Sequence, residues 1–364
     1  MAQPGSTRAG VARAVVHVPL GTEEQRVNDE QRMSQAIQVA ASARLHASPN
    51  PWVGCVLVTS TGAAYEGATE PPGGRHAEIV ALHTAAGAGA QVHGATLYTT
   101  LEPCSHHGRT GPCVEAIIAA GIGRVVSAIE DPDPHVAGRG HAGLRAAGIE
   151  VMIGPNSDEV VEQLRPYLHH RRTNRPFVVL KLAATLDGRT AAADGTSQWI
   201  TSPEARRRVH LIRAESDAIC VGAGTVRADD PALTVRHVEG PDPRRIVLGR
   251  APVGAKVLPC DEWHGPLTDL LDKLGAEGVL QLLVEGGATV ANDFHRQGLV
   301  DRYVLHVAPA LMGGDDGRAL FAGAGAPTIT DLWRGDLREV RPLGPDLEII
   351  LDRSPNSHPP KESR

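Results

Sequence analysis

The stretch "GRHAEIVALHTAAG", residues 74–87, sets His76 and Glu78 two positions apart at the mouth of an apolar-periodic segment. Alone, an imidazole and an acid there are ordinary for a helix start, where a carboxylate suits the dipole. Farther on, "TLEPCSHHGRTGPC" carries Cys104 and Cys113 with eight residues between them. Either thiol by itself reads as a core residue. With His76, however, they offer one nitrogen and two sulfurs, a set that zinc accepts tetrahedrally. Three protein ligands then leave the fourth corner to water. Water held that way has a pKa near about 7, and its proton needs a neighbour to carry it. Glu78 is that candidate, close to a ligand in sequence yet not needed for coordination. His106 and His107 stand in the same loop. They are alternative ligands, and otherwise are expected to line the pocket or hold the loop.

The elements around these residues fit that reading. "ATLYTT" reads as a strand running into the first cysteine. "CVEAIIAAG" reads as a helix opened by Cys113 behind Pro112, a residue suited to a helix start. A thiol at a helix N-terminus has a lowered pKa, which favours the thiolate that metals bind. The order His-x-Glu followed by Pro-Cys and a second Cys is that of zinc deaminases, although the gap between cysteines is longer here.

Before this region, "NDEQRMSQAIQVAASARL" (28–45) reads as a helix and "VGCVLVTS" as a strand. After it, "RVVSAIED", "AGLRAAG" and "IEVMIG" read as strand, helix and strand. The alternation predicts a mostly parallel α/β sheet. "LHHRRTNRPFV" (168–178) breaks the rhythm and is taken as the domain boundary. A second series follows: strand "FVVLKLAAT", a hairpin, helix 203–214, strands "AICVG" and "RRIVLG", helix "LTDLLDKLG", strand "VLQLLVE", helix 288–298, strand "RYVLHVAP" and a last strand near 347–352. In "LLVEGGATVAND" a strand ends at Glu285 and two glycines precede a helix. That joint is often mere packing, but it also suits phosphate, without being a G-x-G-x-x-G fingerprint.

With 364 residues the chain is long enough for two domains, and 41% hydrophobic with 21% charged residues is a globular composition. A net charge of −6 gives no basic field for nucleic acid, and no apolar run reaches a membrane span. "VARAVVHVPL" is short and carries Arg13 and His17, so it is not read as a secretory signal. Residues 1–27 are expected to be a loose extension and 354–364 a disordered tail. Five cysteines (Cys55, Cys104, Cys113, Cys220 and Cys260) are an odd number for a disulfide framework and fit a reducing cytosol.

"SPNPWVGCVLV", "HAE" and "TLEPCSHHGRTGPC" resemble the deaminase half of the bifunctional riboflavin-biosynthesis deaminase–reductases, a family that carries the long Cys-to-Cys loop. "LDGRTA", "SQWIT", "TVRADDPALTVR", "VEGGATV" and "VAPALMGG" resemble its reductase half. The resemblance implies a cytidine-deaminase-like α/β/α domain over 28–172 and a dihydrofolate-reductase-like α/β domain over 173–353. It implies one zinc per chain on His76, Cys104 and Cys113, Glu78 as proton donor, and Asn50 on the pyrimidine. It places Ala183, Trp199, Thr225, Asp229 and the turn Gly287, Ala288, Thr289, Val290, Ala291, Asn292 and Asp293 on NADPH. It places Ser197, Arg213, Leu233, Arg236 and Glu285 on the substrate, a pyrimidine ribose phosphate whose dianion suits guanidinium forks. Lys181 is a further candidate near the reacting sugar. Arg250 departs from the family, standing where members carry a small or acidic residue. A cytoplasmic homo-oligomer without nucleic-acid or membrane partners is expected. The alternatives are another nucleobase or nucleoside deaminase with a ligand-binding second domain, and a non-enzymatic zinc-stabilised binding module.

Overall fold

A computed structural model describes residues 22–106, 111–134 and 136–354. The first half runs α1 (Glu23–Ala43), β1 (Gly54–Val58), β2 (Ala64–Ala68), α2 (Ala77–Gly87), β3 (Thr96–Leu101), α3 (Cys113–Ala119), β4 (Arg124–Ile129), α4 (Arg139–Ala146), β5 (Glu150–Ile153), α5 (Ser157–Gln163) and α6 (Arg165–Thr173). Its sheet has the order β2-β1-β3-β4-β5. It is mixed, not mostly parallel: β1 is antiparallel to both β2 and β3, whereas β3, β4 and β5 run parallel. The cause is the short β1–β2 connection, a hairpin that the alternation of strands and helices does not reveal.

Two glycines let helices press on both faces of this sheet. A Cβ on Gly54 would stand 2.0 Å from the Ala36 carbonyl oxygen of α1. One on Gly67 would stand 2.2 Å from the Ala77 carbonyl oxygen of α2. The result is an α/β/α sandwich, with its core built around Leu57, Leu97, Val125, Val126, Ile117 and Trp52.

Helix α1 begins at Glu23, inside the stretch expected to be loose. Thr22 caps it by accepting from the Gln25 amide, and Glu23 and Glu24 occupy its first turn. Asp29 is fully buried in this helix. It takes both amino groups of Arg124 at 2.8 Å and the Tyr98 hydroxyl at 2.9 Å, tying the helix to the sheet. Residues 1–21 and 355–364 lie outside the described residues.

The segment expected to break the rhythm is largely helical: α6 carries Tyr167 and Leu168 into the core and ends at Asn174 in a left-handed conformation. The second half then runs β6 (Phe177–Thr185), β7 (Arg189–Ala191), α7 (Pro203–Ala214), β8 (Ala218–Gly222), α8 (Ala223–Asp229), β9 (Arg244–Leu248), β10 (Asp261–Trp263), α9 (Leu267–Ala276), β11 (Gln281–Val284), α10 (Ala288–Arg296), β12 (Arg302–Ala308), β13 (Arg318–Ala319), β14 (Gly335–Leu343) and β15 (Asp346–Arg353). Its sheet has the order β10-β9-β8-β11-β6-β12-β15-β14. The first six strands are parallel, and the last two join antiparallel. β7 pairs with β13, so the expected hairpin partner β6 is not its ladder neighbour.

Strand β6 alternates strictly. Val178, Leu180 and Leu182 face the core that holds α9 and α10, while Phe177 and Val179 face Ile212 of α7 and Val226 of α8. Lys181 and Ala183 continue this second face toward the carboxyl end of the strand, where parallel sheets hold their ligands.

Candidate active sites

Three segments converge at the first site. Strand β3 ends at Leu101 and delivers Cys104. Helix α3 starts on Cys113, and α2 starts just after His76, its N-cap. His76 Nδ1 lies 3.4 Å from Cys104 Sγ and 3.3 Å from Cys113 Sγ. The three donor atoms lie within 4.8 Å of one another. One imidazole nitrogen and two thiol sulfurs at this spacing fit a tetrahedral zinc. His106 is exposed and stands outside this group; His107 lies outside the described residues.

The helix N-terminus acts differently from expectation. The Cys113 amide donates to Cys104 Sγ at 3.4 Å, so α3 stabilises negative charge on the other cysteine. The Cys104 thiol is lowered, chiefly by the hydrogen bond from the Cys113 thiol, and that of Cys113 is raised beside it. His76 is raised, first by its bond to Cys104.

Glu78, in the first turn of α2, is only 4% exposed. Burial, then the negative charge of Cys104, lifts its carboxyl to about 7. A dication in the site would draw it down again. A buried carboxyl two residues from one of the three donors is placed to move a proton.

Glu102, which the sequence reading passed over, braces this loop. Its buried carboxylate accepts four backbone N–H groups: Asp131 at 3.2 Å, Gly138 at 2.9 Å, Gly140 at 2.8 Å and His141 at 3.2 Å. It thereby fixes the segment leading into α4 against the cysteine loop, where a Cβ on Gly140 would stand 2.0 Å from the Pro103 carbonyl oxygen. The signal available in the sequence was an acid wedged between a strand and a ligand.

The second site lies at the carboxyl ends of β6, β8 and β11. Helices α8 and α10 start side by side on Gly222 and Gly287. A Cβ on Gly287 would approach Thr225 Oγ1 to 3.3 Å, and one on Gly222 would approach the Val290 side chain to 2.8 Å. Thr225 and the Gly287 turn are thus brought together. Ala291 is fully buried, and Asn292 is buried and donates to the Ala324 carbonyl oxygen at 3.4 Å. Gly287 and Thr289 are exposed at this turn, and Ala288 and Val290 are half-buried. Asp229, at the end of α8, and Asp293 are exposed. Trp199 is 69% exposed, with Arg206 over its ring at 4.5 Å. Ala183 and Ser197 are half-buried, as is Asn50 in the first half.

Arg213 and Glu285, expected as separate substrate contacts, are paired. Nε and Nη2 of the arginine meet the carboxylate at 2.7 and 2.8 Å, and Nη1 meets the Thr234 carbonyl oxygen at 3.1 Å. Among the described residues, two of its five N–H donors have no partner. Leu233 is buried in a left-handed conformation, φ 56°, which turns the chain toward Arg236. The Arg236 amide donates to His210 Nδ1 at 3.1 Å. Sequence reasoning missed His210, one helical turn before Arg213. Burial, then Arg213 and Arg236, push its pKa down to about 4. Lys181 is desolvated between Glu285, Arg213 and Glu348, and its pKa is lowered by burial first.

The family described as the cytidine and deoxycytidylate deaminase zinc-binding region matches residues 26–129, and the RibD C-terminal domain matches 176–349. The riboflavin biosynthesis protein RibD of Escherichia coli K12 is 39% identical over 368 residues, covering 89% of this chain and 99% of its own. That of Corynebacterium ammoniagenes is 44% identical over 296 residues, covering 78% and 87%. The chain belongs to the RibD family. A solved RibD of Acinetobacter baumannii superposes with a TM-score of 0.83 at 37% identity, covering 91% of this chain and 100% of that one. A Thermotoga maritima structure described as a diaminohydroxyphosphoribosylaminopyrimidine deaminase/5-amino-6-(5-phosphoribosylamino)uracil reductase has the same TM-score and coverage at 31% identity. The expected pair of folds, deaminase-like and then dihydrofolate-reductase-like, is the RibD architecture. Among the described residues no helix is long and apolar enough to cross a membrane.

Proposed function

We propose that this RibD-family chain catalyses two consecutive steps of riboflavin synthesis. The first is hydrolytic deamination of 2,5-diamino-6-ribosylamino-4(3H)-pyrimidinone 5′-phosphate. The second is NADPH-dependent reduction of the ribosyl group, giving 5-amino-6-ribitylamino-uracil 5′-phosphate. The observation that carries the reading is the compact His76–Cys104–Cys113 donor set with buried Glu78 beside it, in one chain with a second α/β site.

Zinc on these three residues would supply a Lewis acid and an acidified water. Glu78 takes one proton from the attacking water and gives it to the ring nitrogen, then carries a second, from the new hydroxyl, to the amine, so that a carbonyl forms and ammonia leaves. Asn50 orients the pyrimidine. NADPH bound in the second site would supply a hydride for C1′ of the opened sugar. The backbone of Gly287–Val290, with Thr225, Ala183, Trp199 and Asp229, holds the dinucleotide. Arg236 and the N–H groups of Arg213 not taken by Glu285 and Thr234 hold the 5′-phosphate, beside His210. Ser197, Leu233 and Glu285 complete the substrate wall, and Lys181 stands near the sugar. We read the protein as a cytosolic homo-oligomer. The exposed apolar side chains Leu337 and Val340 on edge strand β14 favour a second copy there.

The test is incubation of purified protein with the diaminopyrimidinone phosphate, with and without NADPH, and identification of products by mass. Release of ammonia without NADPH, and gain of two hydrogens only with it, is expected. A deaminated product that NADPH leaves unchanged would favour a deaminase with a mere binding domain.

A further inference from the structure

Arg44 is the C-cap of α1, in the deaminase half, yet its side chain ends in the reductase half. The guanidinium lies over the Trp52 indole, 3.9 Å from the ring centre. From there Nη2 donates to the carbonyl oxygen of Glu215 and, at 3.1 Å, to Oε1 of Gln281. Glu215 is the C-cap of α7. The last carbonyls of a helix lack partners within it, and the negative end of the dipole lies there, so a guanidinium is the fitting group.

Both elements that Arg44 grips lead to one pair. Arg213 stands in the last turn of α7, and Gln281 opens β11, the strand that ends next to Glu285. The Arg213–Glu285 fork closes across those two elements. Leu45 adds to this contact: a Cβ on Gly240 would lie 3.6 Å from Leu45 Cδ1 and 2.5 Å from Ala214 Cβ, so the end of α1 also borders the loop that follows Arg236. Packing alone does not hold this seam. A cavity of about 300 Å³ adjoins it, lined by Arg44, Trp52, Ile212, Glu215 and Gln281 among others. The hydrogen bonds of Arg44 therefore carry more of the restraint on the end of α7 than they would in a filled interface.

We propose that Arg44 is a positioning residue for the reductase, the deaminase half's own contribution to the phosphate end of the second active site. It acts through Arg213 and Glu285 and touches no reacting atom. The proposal rests on the assignment of Arg213 to the substrate made above.

A double-mutant cycle on the full-length, zinc-loaded protein tests it, with the deaminated intermediate as substrate and NADPH in excess. Arg44→Met keeps an apolar stem over Trp52 and removes the donors. It is expected to raise the reductase KM for the intermediate about tenfold, while kcat and the KM for NADPH change less than about twofold. Arg213→Ala raises the same KM, and adding Arg44→Met to Arg213→Ala raises it no further. A wild-type KM in Arg44→Met overturns the proposal. So does a full additive increase in the double variant, which would mark a general loosening of the fold. Should Arg44→Met fail to fold, Arg44→Lys carries the test, with a KM raised about threefold expected and an unchanged KM decisive against. A wild-type KM in Arg213→Ala would overturn the substrate assignment itself and the proposal with it. That result is distinct from a raised KM in Arg213→Ala beside an unchanged one in Arg44→Met.

Discussion

His76 caps α2 without a side-chain bond to that helix, which frees Nδ1 to face two sulfurs. Two residues on, Glu78 is turned inward and desolvated, so its carboxyl rises to about 7. Glu78→Gln keeps the ligands and the shape but cannot carry a proton. It is expected to retain one zinc per chain by metal analysis and to lower ammonia release by about a thousandfold. Ammonia release at the wild-type rate would remove the shuttle role. His76, Cys104 and Cys113 were legible in the sequence as a candidate set because zinc chemistry restricts both residue type and spacing. Glu102 and His210 were not, since their roles come from backbone amides and arginines far along the chain.

At the scale of elements, close approach decides the architecture. Gly54→Ala would drive a methyl group into the Ala36 carbonyl, which belongs to helix backbone and cannot step aside. Chemical denaturation is expected to show a loss of about 3 kcal/mol or more. An unchanged midpoint would mean that α1 is not held against β1 at this distance.

In the other sheet, β12, β14 and β15 share one buried acid. Glu348 takes His306 at 2.9 Å and Arg208 at 3.2 Å, with Arg341 on its other oxygen. Burial alone would raise its carboxyl, but the His306 bond and the two arginines outweigh burial and hold it at about 2. The folded carboxyl thus stays ionised below the unfolded value. Its stabilisation is complete above about pH 4.5 and is lost as the pH falls toward 2. Glu348→Gln is expected to flatten the dependence of stability on pH in that window, measured by urea unfolding at pH 3 and pH 6. Equal pH slopes in the two proteins would count against the ionised, buried acid.

For the whole molecule, the two sites are built on separate sheets but share a seam. His76, Cys104 and Cys113 come from segments next to α2, β3 and α3, all elements of the first half. Stripping the metal with a chelator is therefore expected to abolish deamination while NADPH oxidation on supplied deaminated intermediate continues at more than about half its rate. Loss of both activities together would show that the metal also supports the reductase fold.

The sequence by itself pointed to the His76, Cys104 and Cys113 group that the fold brings together, to Glu78 beside it, to the two-part α/β layout and to most strands and helices. Those features rest on residue chemistry and on local periodicity, which neighbours in the chain settle between them. Only the tertiary structure decided the mixed order of the first sheet, the inward turn of Asp29, the pairing of Arg213 with Glu285 and the reach of Arg44 into the other half. Each of these depends on which distant segment fills the space opposite a side chain, and a local pattern carries no record of that.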